Sequence, residues 1–378
     1  MSEGVFFRLL ACGIVWAPAA FLPGCSGDED STIPADSTGD SDSETAIDGG
    51  VAEVVYAMHV VDVGNGVAVF VEGPDFSLVY DAGSDDADVT GDNNRFIAYL
   101  KKMRPDLQHI DHVILSHPHN DHMSMLPDVL ETYSIGEVWD AGAMSDRCSY
   151  HAFLAAIAEH SITYHSPVND EGVRDIALLE PCDGYPDEVT LTHGERITAG
   201  LTVGLGDDAE MTFLFANATP VEDPNDNSMV VRLDVGDKRF LLMGDAGGGE
   251  TSDISLPPEE GSIEAFLLDG GADVDADVLL VGFHGYGSAS RIPFLDAVTP
   301  AVSIITPYPR AAPPDDDVVA ALEARGEVYR TDFEDDDCVD AADKLGPDDD
   351  GQIGGCSNVR VTVDDTGQLR AEYLYLTD

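Results

Sequence analysis

Short apolar runs alternate with longer amphipathic stretches along the chain from Val54 onward. The runs are continuous, which is the pattern of strands that are buried on both faces of a sheet covered by helices. Four of the runs end at residue types that bind metals: SLVYDAG at Asp81, HVILSHPH at His117 and His119, RFLLMGDAG at Asp245, and DVLLVGFHG at His284. Because sites in such sheets lie beyond the strand ends, the pattern predicts an α/β fold with metal ligands gathered at one edge.

The segment HPHNDH, from His117 to His122, is the densest group of candidate ligands. Side chains of an extended segment alternate in direction, so His117 and His119 project to the same side and can bind one ion together. Asp121 and His122 are adjacent and point in different directions, which favours a second metal position beside the first. Asp81 is as well suited to orient a ligand as to bind metal itself.

The net charge of the chain limits which classes of molecule it is expected to bind. The 378 residues include 18 Lys and Arg against 73 Asp and Glu, a formal net charge of -55. Such a chain repels polyanions, so nucleic acid is possible but disfavoured, and a small-molecule or phosphodiester substrate is expected. The oligomeric state is not indicated by the sequence.

The first 24 residues resemble an export signal, because Arg8 precedes an apolar run too short to span a bilayer as a permanent helix. The letters LPGC, which end at Cys25, resemble a bacterial lipobox, and ordinary cleavage is the alternative. Residues 25–53 are polar and acidic, which predicts a disordered tether. We therefore expect an exported protein of the cell envelope, anchored by lipid at Cys25 in the outer membrane or periplasm, with a hydrolase domain at 54–378.

Four cysteines follow the signal region, an even number in a chain that looks exported. Three pairings are possible. The one that constrains the fold least joins nearest neighbours along the chain, Cys148 with Cys182 and Cys338 with Cys356. A thiolate zinc site is the alternative, although no pair has the close C-x-x-C spacing. The second pair would close an acidic insert at about residues 335–357.

The H-x-H-x-D-H pattern of residues 117–122 resembles the signature of the metallo-β-lactamase superfamily. Residues 58–83, 223–247 and 277–306 look like segments of its ComEC-like hydrolase branch, here stand-alone and exported. The resemblance implies a four-layer αββα sandwich, extended here by the disulfide-closed acidic insert, with two divalent metal ions, zinc or manganese, at one edge.

The resemblance also implies the ligands. They are His117 and His119 at one position, Asp121, His122 and His284 at the other, and Asp245 as the bridge between them. Asp121 is the implied catalytic residue, which would orient the nucleophile. The implied activity is hydrolysis by a metal-bound hydroxide, with a phosphodiester as the expected substrate. A non-catalytic, metal-binding surface lipoprotein is the alternative, and hydrolysis of a β-lactam or thioester ranks below both.

Three positions depart from the resemblance. The superfamily often has a third histidine upstream of the bridging Asp, and Asp226 or Asn227 could replace it here with an oxygen ligand. Phe283 stands where the branch usually has the first His of a pair, and Val67 stands where it usually has Asp. These departures motivate the non-catalytic alternative.

Overall fold

The computed structural model describes residues 52–87, 89–308, 314–332 and 357–374. The predictions for the export signal, for Cys25 and for the tether fall outside these residues. So do the predicted pairing of Cys338 with Cys356 and the acidic insert that it would close.

The described residues form two sheets. The strands are β1 Val54–Val60, β2 Ala68–Glu72, β3 Ser77–Ala82, β4 His109–Leu115, β5 Ser134–Asp140, β6 Thr163–His165, β7 Gly172–Ala177, β8 Glu188–His193, β9 Thr202–Gly206, β10 Ala209–Phe215, β11 Val230–Val235, β12 Lys238–Leu242, β13 Val278–Leu280, β14 Val302–Ile305, β15 Glu327–Arg330, β16 Asn358–Asp364 and β17 Leu369–Leu374. The first sheet has the order β17-β16-β1-β2-β3-β4-β5-β6-β8-β7, and the second has the order β15-β14-β13-β12-β11-β10-β9.

Each sheet combines antiparallel and parallel pairing. In the first sheet β1, β2 and β3 form an antiparallel meander, and β3, β4, β5 and β6 then run parallel. In the second sheet β12 to β15 are parallel, and β9 to β12 are antiparallel. The parallel strands are the ones that the continuous apolar runs predict, and their carboxyl ends carry the candidate ligands.

Helices cover the outer face of each sheet. They are α1 Arg95–Met103, α2 Asn120–Met123, α3 Leu126–Thr132, α4 Cys148–His160, α5 Ile263–Asp269, α6 Ile292–Val298 and α7 Asp316–Glu323. Among the described residues, no helix combines the length and the apolar character needed to cross a membrane.

Three apolar cores separate four layers. Leu78 and Tyr80 of β3 point into the core between the two sheets, whereas Val79 points to the core under α1, α3 and α4. In the second sheet, Leu241 of β12 points away from the central core into a third core under α5, α6 and α7. The alternation of side chains along each strand thus serves two cores at once. The predicted α/β sandwich of four layers, αββα, is confirmed.

A disulfide joins Cys148 to Cys182, with 5.5 Å between the Cα atoms. Cys148 is the first residue of α4, and Cys182 lies in the connection between β7 and β8. This confirms the first predicted pairing and removes these two residues from any thiolate zinc site.

Candidate metal centre

The candidate ligands come from strand ends of both sheets. His117 and His119 follow β4, and Asp121 and His122 lie in α2, on the first sheet. In the second sheet, Asp245 follows β12 and His284 lies in a short 3-10 turn, Gly282–Gly285, after β13. All six meet at one edge of the sandwich, as the sequence predicts for ligands beyond parallel strands.

Two glycines allow the segment that carries Asp121 to lie directly on the ends of β2 and β3. A Cβ atom at Gly66 would meet the Gly83 carbonyl oxygen at 2.1 Å, and a Cβ atom at Gly83 would meet the Asn120 carbonyl oxygen at 2.3 Å. The close approach lets the Val67 amide donate to the Asp121 carbonyl at 2.8 Å. Only glycine fits where two backbones come this close.

Two groups of three side chains have ligand atoms within 4.8 Å of one another. One group consists of His117, His122 and Asp245, and the other of Asp121, His122 and His284. His122 Nε2 lies 3.2 Å from Asp245 Oδ1, and His284 Nε2 lies 3.2 Å from Asp121 Oδ2 and 3.6 Å from Asp245 Oδ1. His122 and Asp245 therefore occupy the middle of the cluster.

His119 belongs to neither group of three, but it lies beside the first. Its Nδ1 atom is 3.1 Å from His117 Nε2, and the two ring centroids are 4.8 Å apart. Pro118 separates the two histidines, and both side chains turn to the same side as the alternation of an extended segment requires. The expected pair is thus brought together.

Three of the four histidines are oriented by the protein through Nδ1. The contacts are His122 Nδ1 to Asp81 Oδ2 at 2.8 Å, His284 Nδ1 to the Thr306 carbonyl at 2.8 Å, and His117 Nδ1 to Ser116 Oγ at 3.1 Å. A carboxylate and a carbonyl can only accept, so His122 and His284 donate from Nδ1 and direct Nε2 into the cluster, where displacement of the Nε2 proton by a cation leaves a lone pair. This is the tautomer that a metal ligand needs.

Asp81 orients His122 and contributes no atom to either group of three. Besides His122, its carboxylate accepts hydrogen bonds from the backbone amide and the hydroxyl of Ser116, both at 2.7 Å. Its backbone has a φ of 56°, a left-handed conformation that is costly for a residue with a Cβ atom. Phe283 and His284 also have positive φ values of 50° and 53°. Such strain is retained where surrounding contacts fix a functional side chain.

Protonation states in the cluster suit a cation. Burial lowers the pKa of His117 well below its ordinary value and lowers the pKa of His119 as well, so both rings are neutral at pH 7. Burial opposes ionisation of Asp121, but His122 and His284 outweigh it and lower its pKa to about 2. Burial would also lower the pKa of His122, but the Asp245 and Asp121 carboxylates raise it well above the ordinary value. The centre therefore attracts positive charge.

Two central atoms lack a hydrogen bond of good geometry. His122 Nε2 and Asp245 Oδ1 are both buried and unsatisfied, although only 3.2 Å separates them. An unsatisfied buried polar atom costs about 1–3 kcal/mol, and more when it is charged. A divalent cation would satisfy both atoms, so the residues present fit the metal pair that the sequence predicts.

The place of the missing third histidine is taken by a loop whose residues have different roles. Asn227 is fully buried, and its amide group binds the loop itself: Oδ1 accepts from the Val221 amide, and Nδ2 donates to the carbonyls of Val221 and Asp223. Asp226 is exposed. Asn227 is thus used within the loop, whereas Asp226 lines a neighbouring cavity together with Asp245 and belongs to neither group of three.

Asn225 is the residue of this loop that sequence reasoning missed. Its side chain lines the cavity at the cluster together with His119 and Asp245, and its Oδ1 atom is buried without a hydrogen-bond partner. An amide oxygen is a weak but ordinary metal ligand. Asparagine is so common in turns that the letter alone carries no signal of this role.

The other two departures remove no atom from the cluster. Val67 packs in the core between the sheets, and its backbone amide supports Asp121. Phe283 lines the cavity at the cluster, beside Tyr286 at a ring-centroid distance of 5.0 Å. The cavity has a volume of about 280 Å³ and opens to solvent over the candidate ligands.

The family model of the metallo-beta-lactamase superfamily matches residues 61–307, which is more than half of the chain. The chain belongs to this superfamily, whose members are metal-dependent hydrolases that bind divalent ions, often two. No curated protein matches the chain.

Similarity to solved structures is low in sequence. The metallo-beta-lactamase fold protein YhfI from Bacillus subtilis is 14% identical, with 72% of this chain and 96% of that chain covered and a TM-score of 0.38. Tm1679, a metal-dependent hydrolase of the beta-lactamase superfamily, is 13% identical, with 73% and 95% covered and a TM-score of 0.38. CmlA, a diiron beta-hydroxylase from Streptomyces venezuelae, is 14% identical, with 74% and 53% covered and a TM-score of 0.37.

Proposed function

We propose that this protein is a phosphodiesterase that uses two divalent metal ions, zinc or manganese. The observation that carries the proposal is the cluster of six candidate ligands from separate strand ends, with two unsatisfied buried atoms at its middle. Imidazole and carboxylate together suit zinc and manganese, and the cluster includes no thiolate.

The proposed ligand positions are those that the resemblance to the superfamily implies. His117 and His119 would hold one ion, Asp121, His122 and His284 would hold the other, and Asp245 would lie between them. Its two carboxylate oxygens face different partners, since Oδ2 is 3.6 Å from His117 Nε2 and Oδ1 is 3.2 Å from His122 Nε2. A carboxylate so placed can bridge two ions.

When bound, a pair of divalent ions lowers the pKa of coordinated water and polarises a phosphoryl oxygen. The chain contributes the geometry. Asp121 is ionised and lines the cavity, where it can accept a hydrogen bond from the attacking water and so orient it. Asp81 and Thr306 hold the rings of His122 and His284 in one orientation, so that the ligand atoms need no rearrangement.

The composition of the cavity supports a phosphoryl substrate. Its walls present polar side chains that can bind phosphoryl oxygens, among them the amide groups of Asn120 and Asn225. The segments that resemble the ComEC-like branch point to the same chemistry. The strong negative charge of the chain favours a small diester over a nucleic acid.

The test is hydrolysis of bis(p-nitrophenyl) phosphate by the purified protein, first stripped with a chelator and then reloaded with zinc or manganese. We expect no turnover by the stripped protein and turnover that rises as metal is added. Binding of metal without turnover of this or other generic diesters would contradict the proposal and favour a non-catalytic metal-binding protein.

We also propose export of the protein to an oxidising compartment of the cell envelope. The Cys148–Cys182 disulfide supports this, because structural disulfides are rare in reducing cytosol. A lipid anchor at Cys25 is part of the same proposal. Substitution of Cys25 by Ala should release the protein from the membrane fraction if the anchor exists.

A further inference from the structure

A second cavity adjoins the one at the metal centre. It has a volume of about 610 Å³ and shares Asp85, Asn120 and Arg147 with the smaller cavity. The two therefore form one cleft, with the candidate ligands at one end and the start of α4 at the junction. A substrate centred on the metals would extend across Arg147.

Arg147 is the one Lys or Arg among the described residues that line either cavity. Its side chain is exposed, and none of the ion pairs found in the described part of the chain includes it. Arg174 and Arg370 likewise form no ion pair in that part of the chain, so the feature that distinguishes Arg147 is its location beside the metal centre, where an anionic substrate can pair with it.

The acidic side chains of the cleft are already bound within the protein. Asp85 accepts a hydrogen bond from the Tyr308 hydroxyl at 2.5 Å, and Asp86 accepts one from the Asn65 amide at 2.6 Å. Asp128 accepts one from the Gly91 backbone amide at 2.7 Å. Apart from the candidate metal ligands, the guanidinium of Arg147 is thus the charged group of the cleft that is left for a ligand.

The backbone around Arg147 is fixed. Its carbonyl accepts from the Tyr150 amide at 3.0 Å, and the next residue, Cys148, is held by the disulfide. The Ser149 hydroxyl donates to Asn120 Oδ1 at 2.6 Å, which joins the first turn of α4 to the segment that carries the candidate ligands. Arg147 is therefore placed with respect to the metal centre by covalent and hydrogen-bonded links.

We propose that Arg147 binds the non-bridging phosphoryl oxygens of the substrate at the edge of the metal centre and so selects an anionic diester over a neutral ester or lactam. This inference rests on the proposed function. A phosphodiester carries a full negative charge that the guanidinium can bind through two parallel N–H groups, whereas a neutral carbonyl offers no such charge.

Arg147 exchanges no proton in this reaction. Water forms the new O–P bond, the P–O bond to the leaving group breaks, and the leaving oxygen ends as an alcohol beside a phosphomonoester. The guanidinium remains protonated throughout and acts by binding charge.

The test compares Arg147→Gln and Arg147→Lys with wild type on two substrates, bis(p-nitrophenyl) phosphate and the neutral ester p-nitrophenyl acetate. Arg174→Gln, on β7 at the far edge of the first sheet, removes the same charge away from the cleft and serves as the control. We expect kcat/KM for the diester to fall on the order of 10²-fold in Arg147→Gln, with partial recovery in Arg147→Lys. Hydrolysis of the acetate and the metal content should stay close to wild type.

Binding of inorganic phosphate to the zinc-loaded protein, measured by calorimetry, is independent of turnover. Weaker phosphate binding by Arg147→Gln supports the inference even if wild type fails to hydrolyse the diester, a failure that would count against the proposed function alone. Unchanged phosphate binding, or an equal loss on the diester and the acetate, would overturn the inference.

Discussion

The two halves of the metal centre are built differently. In the half formed by Asp121, His122 and His284, three ligand atoms from two sheets lie within 4.8 Å of one another, and both imidazoles are oriented through Nδ1. The half formed by His117 and His119 takes both ligands from one short segment, and only His117 has an oriented ring. No hydrogen bond of the second ring nitrogen of His119 is found in the described part of the chain.

This difference indicates that the fold positions and orients the ligands of one half of the centre before any ion binds. Ligands that are already close and oriented lose little entropy on binding a metal, so affinity follows preorganisation. The half with His117 and His119 is completed only by Asp245 and by whatever the loop at residues 223–227 supplies. We therefore expect two ions of unequal affinity, with the tighter one at His122 and His284.

The largest expected effect belongs to Asp245, the residue that both halves share. Asp245→Ala should reduce the metal content below one ion per chain and abolish hydrolysis, because it removes a ligand from each position. Metal content by mass spectrometry checks this. Asp237→Ala, an exposed acid on the same hairpin, is the matched control and should keep both ions. Two ions in Asp245→Ala would contradict the bridging assignment.

The next effect separates the halves. His284→Ala and His119→Ala should each keep one ion, because each removes a ligand from one position only. The ion left in His119→Ala should be held about tenfold or more tightly than the ion left in His284→Ala, since the preorganised half survives in the former. Competition with a zinc chelator measures both affinities. Equal affinities in the two variants would refute the asymmetry.

A smaller effect is expected from the residue behind His122. Asp81→Asn keeps the shape of the side chain but removes the charge that orients the ring, which should weaken the tighter ion by about 10- to 100-fold. Asp140→Asn is the control, because Asp140 is an equally buried carboxylate at the end of β5 that accepts from the hydroxyls of Tyr150 and Tyr164. If Asp81→Asn weakened the other ion instead, Asp81 would not act on the half that contains His122.

The smallest effect should come from the loop. Asn225→Ala removes one neutral oxygen from the weaker half and should lower the affinity of that ion by roughly tenfold at most, with the tighter ion unchanged. Asn225→His, which restores the residue type usual in the superfamily, should raise it. Stepwise zinc titration distinguishes the two ions. An effect of either variant on the tighter ion would show that the loop serves both halves.

The sequence predicts the fold class and most residues of the metal-ligand cluster. Continuous apolar runs indicate parallel strands, and strand ends indicate the edge where His117, Asp245 and His284 meet. The order of the strands in the two sheets does not follow from these local patterns, because it depends on contacts between distant segments. The sequence alone also does not decide whether Asp81 binds metal or orients a ligand, because both roles suit the same residue type.

The sequence did not indicate the roles of Asn225 and Arg147, because these roles depend on where the residues lie in the tertiary structure. Asn225, Asp226 and Asn227 are neighbours of similar chemistry, and only the hydrogen bonds within the loop show that Asn227 is used to hold it. Arg147 is a lone arginine before a helix, with no spacing that marks it. Its location beside the metal centre arises from the packing of α4 against the ligand-bearing segment.

The most direct test of the unequal metal centre is calorimetric titration of the metal-free wild-type protein with zinc, in the presence of a competing chelator. We expect two ions per chain that bind in separate steps, with affinities at least about tenfold apart. A single ion, or two ions of equal affinity, would contradict a metal centre with unequal halves.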